Sequence, residues 1–239
     1  MPAKCLLLIF CIGLSSFAFD QNMADTAQQK GTGKWTSQSA MDLGAPIPLI
    51  DAAVTMRELS ALKAERVVAA DILKGPGPDA DIKKDELILA IEQALYFSMI
   101  TAYAQGMALL QQASKELNYN LNLADVAAIW RGGCIIRAGL LEHIRSAYLA
   151  KPGLSNIMVD DFFAAELSKS QSSLRKVIKT AVDAGIPLAT MSSALSYYDA
   201  YRHGWLPANL IQAQRDYFGA HTYMRTDRTG IFHTHWNQK

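Results

Sequence analysis

The chain has 239 residues, 50% of them apolar and 19% charged, which suffices for one full domain with a sizeable core and excludes wholesale disorder. Lys+Arg 23 against Asp+Glu 22 leaves a net charge of +1, which argues against a nucleic-acid binder but leaves room for a few arginines around one anion. Cys5, Cys11 and Cys134 are odd in number, scattered and without a CxxC pair, which argues against a disulfide framework and a thiolate metal site.

In chain order, residues 1–18 come first, with Lys4 ahead of the apolar run Cys5–Leu14 and small residues at Ser16 and Ala18. This is the layout of a secretory signal, and the run falls short of the roughly 20 residues a membrane helix needs. An incidental start is the competing reading, and no later segment is expected to cross a membrane. Lys30-Gly31-Thr32-Gly33-Lys34-Trp35 then predicts a loop whose glycines let a ligand approach the backbone closely. Thr36 or Ser37 can cap a short helix ending at Gly44, and Pro48 suits the first turn of the next. From there to Lys74 the apolar residues Ile50, Val54, Leu59, Leu62, Val67 and Ile72 recur at helical spacing, up to the stop Gly75-Pro76-Gly77-Pro78-Asp79.

Asp85–Asn118 carries the stripe Leu87, Ala90, Ile91, Ala94, Leu95, Met99, as one long helix or two in line. Within it Ala102, Ala104, Gly106 and Ala108 mark a close helix approach. A helical region over Leu123–Tyr148 is interrupted at Gly132-Gly133, and Asp160–Ala184 forms an amphipathic helix ending at Gly185-Ile186-Pro187. Thr190–Arg202 and Pro207–Phe218 complete the helices. Residues 221–239 are polar and aromatic with weak periodicity, and predict an extended tail that needs a surface to lie against. No segment alternates at period two, so the fold class is all-α.

The chemical motifs mostly fail. Trp35 stands where a Walker loop needs Ser or Thr, and no GxGxxG, GxSxG or HExxH occurs. His233 and His235 could chelate only on an extended strand, and the carboxylates read as solvated helix faces. Lys30, Thr32, Arg57 and Arg215 remain as groups suited to a phosphate, with core or surface roles as the plain alternative for each.

The run Lys30–Thr36 resembles the signature loop of the decarboxylating 6-phosphogluconate dehydrogenases. Ile129-Trp130-Arg131-Gly132-Gly133-Cys134-Ile135-Ile136-Arg137 resembles that family's central helix motif, while Ala194–Asp199 and Leu206–Tyr223 are similar to its C-terminal segment. Four separated motifs stand in the right order, and the resemblance runs over about residues 23–236. The resemblance implies the helical substrate-binding and dimerisation domain over 23–239, without the N-terminal Rossmann domain that binds NADP, and sets residues 1–22 apart as a signal-like or artefactual leader. It implies that Lys30, Thr32 and Arg57 hold the phosphate of 6-phosphogluconate within one subunit. It implies that Arg215 and His221 reach into a partner's site, in a homodimer or against a full-length subunit. The reaction it implies is NADP-linked oxidation and decarboxylation to ribulose 5-phosphate, in the cytoplasm, with no nucleic acid, metal or membrane. The catalytic lysine and glutamate lie upstream of the matching region, so the isolated chain is expected to be inactive. Gln28 stands where the family has glycine. A non-catalytic helical protein that binds a phosphosugar or a partner subunit is the alternative function.

Overall fold

The computed structural model describes residues 24–28, 30–77 and 83–236; the leader 1–22 and the Pro78-Asp79 end of the proline-glycine stop lie outside them. Two compact units divide the chain, residues 1–197 and 198–239.

The first unit opens with α1 (Thr32–Leu43), closed by left-handed Gly44 at φ 65°, where Ala45 N–H donates to Ala40 O at 2.8 Å. The predicted end is right. The start is earlier than Thr36, because Gly31 at φ 103° turns the chain straight into the helix and draws Gly33 into its first turn. Pro48 begins α2 (Pro48–Ala61), and one otherwise orphaned donor of its first turn, Leu49 N–H, bonds the buried Gln105 Oε1 at 3.1 Å. The apolar spacing runs on toward Lys74, but the helix breaks at Leu62 and resumes as α3 (Lys63–Ile72). Arg66 braces this elbow by donating to Ser60 O at 2.9 Å and to the Asp25 carboxylate at 3.2 Å.

One continuous helix, α4 (Lys84–Glu116), resolves the one-or-two question. It has no proline, carries Asp85 and Glu86 in its first turn and Lys115 in its last, and so agrees with its own dipole. By length and composition it could cross a membrane, contrary to the sequence expectation. Its apolar face is instead the core: Ala94, Phe97, Ile100, Ala104 and Met107 are fully buried. The buried hydroxyls of Ser98 and Thr101 bond back to Ala94 O and Phe97 O, so the stripe carries no unpaired hydroxyl. Gly106, expected to mark a close approach, faces open space.

α5 (Leu123–Ile129), capped by the Asn122 side chain, packs on α6 (Leu140–Ala150). The motif over 129–137, compared above to a central helix, leaves the helix at Trp130 and runs as turns, with Gly133 at φ 64°. Tyr103 donates its hydroxyl to Ile136 O, and Arg131 pairs with Glu142. The short 3-10 turn Ile157–Val159 leads into α7 (Asp161–Asp183), capped by Asp160 and packed along α4 through Phe163, Leu167 and Leu174. Gly185 at φ 68° ends it, and a Cβ there would stand 2.7 Å from Pro76 O, so the two predicted stop signals pack on each other. α8 (Ala189–Tyr201) follows.

The second unit holds α9 (Ala208–Gly219) and the strands β1 (Tyr223–Met224) and β2 (Ile231–Phe232), paired antiparallel with Tyr223 opposite Phe232. The all-helical expectation holds. The expected extended tail is a short hairpin, closed by the Arg225–Asp227 fork at 2.7 Å and Arg228 over the Phe232 ring.

Candidate functional site

Lys30 and Thr32 flank the start of α1, and Arg57 reaches its first turn. Gly31, rather than a capping side chain, precedes the helix, and no acidic residue stands in its first turn. The positive end of a twelve-residue helix dipole therefore lies beside Lys30 and Thr32, both exposed.

Arg57 comes from α2, half-buried, with Nε donating to Ala53 O at 3.2 Å one turn back. Its far end lies across the first turn of α1: a methyl group built on Gly33 would be 2.6 Å from Arg57 Nη2 and 3.1 Å from Val54 Cγ2. Gly33 is glycine because the guanidinium occupies the place of a side chain. The Trp35 ring covers Gly31 in the same way, 3.3 Å from where a Cβ would stand. The predicted loop glycines thus act as sites of approach for this chain's own side chains. A half-buried arginine seated on the first turn of a helix that Lys30 and the Thr32 hydroxyl flank suits a dianion such as a phosphate monoester.

The backbone leading to Lys30 is tied down. Ala27 N–H donates to Ser60 Oγ at 2.8 Å, Ser60 Oγ donates to Arg57 O at 2.7 Å, and Asp25 is gripped by Lys63 at 2.8 Å and by Arg66. Lys63 and Arg66 hold the Asp25 carboxyl below its usual range. These ties were not visible in the sequence, where Asp25 and Ser60 look like ordinary surface residues.

The other two candidates, Arg215 and His221, belong to the second unit. Arg215, exposed on α9, donates from Nη1 to Gln212 Oε1 at 3.3 Å. His221 is exposed between two residues in the left-handed region, Ala220 at φ 49° and Thr222 at φ 63°, and its ring lies 3.1 Å from where a Gly219 Cβ would stand. Non-glycine residues rarely adopt that conformation, so the turn presenting His221 is held by its surroundings.

What holds it is Asp216, which sequence reasoning missed. Its side chain is fully buried. Oδ1 accepts from Thr222 N–H at 3.0 Å and faces His233 Nδ1 at 2.9 Å; Oδ2 accepts from Thr234 N–H and Trp236 Nε1–H, each at 3.0 Å. Burial alone would raise this carboxyl, but the donors from Thr234, His233, Trp236 and Thr222 outweigh it and hold the pKa at about 2. The only signal in the sequence was a polar, aromatic tail in need of a surface to lie against. A cleft of about 590 Å³ opens beside this cluster, lined by Tyr217, Phe218, Ala220, His233, His235 and Trp236.

Among the described residues no group of three or more His, Cys, Asp or Glu could hold a metal ion. Nor is there a dinucleotide cradle among them, because both strands are two residues long and neither leads through a glycine-rich turn into a helix.

Comparison with known proteins gives the arrangement a context. Residues 16–236 match the model of the 6-phosphogluconate dehydrogenase C-terminal domain, beginning earlier than residue 23. The chain is 54% identical over 213 residues to an NADP(+)-dependent decarboxylating 6-phosphogluconate dehydrogenase of Bacillus subtilis, covering 89% of this chain and 45% of that protein. A decarboxylating 6-phosphogluconate dehydrogenase of Staphylococcus aureus is 49% identical, covering 92% and 47%. The solved Plasmodium falciparum 6-phosphogluconate dehydrogenase, described in apo form and in complex with NADP+ and with 6-phosphogluconate, superposes with a TM-score of 0.85 at 41% identity, over 90% of this chain and 46% of that one. The chain spans less than half the length of these relatives.

Proposed function

From a chain that belongs to the family of the 6-phosphogluconate dehydrogenase C-terminal domain, we propose that it is the substrate-binding and dimerisation part of an NADP-dependent, decarboxylating 6-phosphogluconate dehydrogenase of the cytoplasm. The observation that carries the reading is the seat of Arg57 on the bare Cα of Gly33, in the first turn of α1, whose start Lys30 and Thr32 flank. The phosphate of 6-phosphogluconate sits over that helix start, taking charge-assisted bonds from Arg57 and Lys30 and one bond from the Thr32 hydroxyl. Held at that end, the sugar chain extends away with its orientation fixed, which is how binding energy far from the reacting carbons lowers a barrier. A second copy of the chain supplies Arg215 as a further phosphate cation and His221 for a substrate hydroxyl, so the complete site needs two subunits.

The residues described contribute binding and orientation. They offer no seat for NADP, so 6-phosphogluconate and NADP with the 239-residue chain are expected to give no rise in NADPH absorbance.

The deciding experiment is calorimetric titration of the chain with 6-phosphogluconate and with gluconate. The phosphorylated sugar is expected to bind and gluconate not. Arg57→Ala is expected to weaken binding about tenfold or more, since a charge-assisted hydrogen bond is worth about 1.5–3 kcal/mol. Equal affinity for both sugars, or no effect of Arg57→Ala, would refute the phosphate seat.

A further inference from the structure

The proposed roles of Arg215 and His221 raise the question of what aims them. Both side chains are exposed, one on a helix and one on a left-handed turn, and neither position by itself fixes a direction. Resting on that reading, we infer that Gln212 and Asp216 are positioning residues that lock Arg215 and His221 into one rigid pair.

Gln212, half-buried on α9, uses both ends of its amide: Oε1 accepts from Arg215 Nη1 at 3.3 Å, and Nε2 donates to Thr222 O. A single planar group thereby joins the arginine to the backbone just after the histidine. Asp216 completes the frame. Its carboxylate accepts the Thr222 N–H at 3.0 Å and its backbone carbonyl accepts the Ala220 N–H at 2.9 Å. The residue before His221 is thus held through its N–H, and the residue after it through both N–H and C=O. Both are the left-handed residues, so the three bonds sit where the backbone is least able to hold itself. The remaining acceptor directions of Asp216 go to His233, Thr234 and Trp236, which clasp the hairpin over the turn. With no exposed surface, Asp216 cannot touch a ligand itself and acts only through the turn.

The test uses the whole chain, labelled for NMR, and needs no ligand, so its outcome is separate from that of the titration with 6-phosphogluconate. In Gln212→Ala the Arg215 Nε–H is expected to gain the mobility of a free exposed arginine and the His221 ring signals to move, while the Trp236 indole N–H keeps its shift because the clasp is intact. Gln212→Glu keeps an acceptor for Arg215 and loses the donor to Thr222 O. It is expected to restore Arg215 order without restoring the His221 shifts, a split that a general loss of stability would not produce. In Asp216→Ala, which removes both carboxylate oxygens, the Thr222 amide is expected to exchange about tenfold faster or more, with the His221 ring displaced. Wild-type Arg215 mobility and His221 shifts in Gln212→Ala would overturn the inference for Gln212. An unmoved His221 in Asp216→Ala would overturn it for Asp216.

Discussion

At residue 33 a missing methyl group carries the argument about phosphate. Glycine inside a helix normally costs about 0.5–1 kcal/mol relative to alanine, and its presence in the first turn of α1 needs a reason. The reason is Arg57 Nη2, 2.6 Å from where the methyl would be. Because the obstructed group is the tip of a flexible side chain, Gly33→Ala should leave the melting temperature nearly unchanged or slightly raised. The same change should push the guanidinium off its seat and weaken 6-phosphogluconate binding about tenfold. Unfolding and titration on one preparation check both halves, and an unweakened affinity would remove Arg57 from the phosphate seat. Little of this could be read from residue types. Lys30, Thr32 and Arg57 stood out only as residue types that suit a phosphate, and their roles came through motif resemblance, since a single arginine on a helix has no mark of its own. Asp216 was hidden for a related reason: its four donors lie between 6 and 20 residues further along, beyond the reach of any local pattern.

Helices were legible where their own ends are written in the sequence. Gly44, Pro48, Asp160 and Gly185 act as caps and stops where expected. The break at Leu62 has no proline or glycine and is braced from Asp25, so apolar spacing ran straight through it. The interruption expected at Gly132-Gly133 is present, but the turns over 130–139 extend past it, held by Tyr103 and Glu142. Gly185 shows how much an end can matter. Its φ of 68° disfavours a side chain, and a Cβ would press on the Pro76 carbonyl at 2.7 Å, which is backbone and cannot swing aside. Gly185→Ala is expected to destabilise by about 1–3 kcal/mol, read by denaturant unfolding. A loss within a few tenths would mean the 76–77 segment simply shifts. The hairpin of β1 and β2 was invisible because two residues per strand cannot display alternation. Its hold on α9 should depend on pH through Asp216. The folded carboxyl titrates at about 2 against an ordinary 3.8, so the stabilisation is fully present above 3.8 and fades as pH falls through about 2. The Trp236 indole N–H shift should therefore move over that interval. It should stay flat there in Asp216→Asn.

For the whole molecule, the open question is what covers α9. Leu210, Ile211, Tyr217 and Phe218 fall at helical spacing on one stripe and are all exposed, Leu210 by 72% and Phe218 by 75%. The other side of the same helix carries the buried Asp216 and the half-buried Gln212 and Ala213. An apolar stripe left in water on a helix that already has a buried side is the mark of a protein partner. The proposed reading names that partner as a second copy, because the residues meant to complete a neighbour's site, Arg215 and His221, rise from the same helix and the turn that follows it. A twofold arrangement lets each copy give its α9 and receive the other's, and burying a stripe of this kind is the usual way to reach the roughly 800 Å² per partner of a stable interface. Light scattering on the purified chain should therefore give twice the monomer mass at micromolar concentration. Leu210→Glu with Phe218→Glu should return it to the monomer with helical content intact, since both side chains are exposed and neither supports the core. The double variant should also lose 6-phosphogluconate affinity, because Arg215 and His221 would no longer reach a neighbour. If the dimer dissociates while affinity stays, the two copies meet through α9 but each phosphate seat is complete within one chain. If the wild-type chain is monomeric at every concentration, α9 serves a different protein and the exchange of residues between copies is wrong.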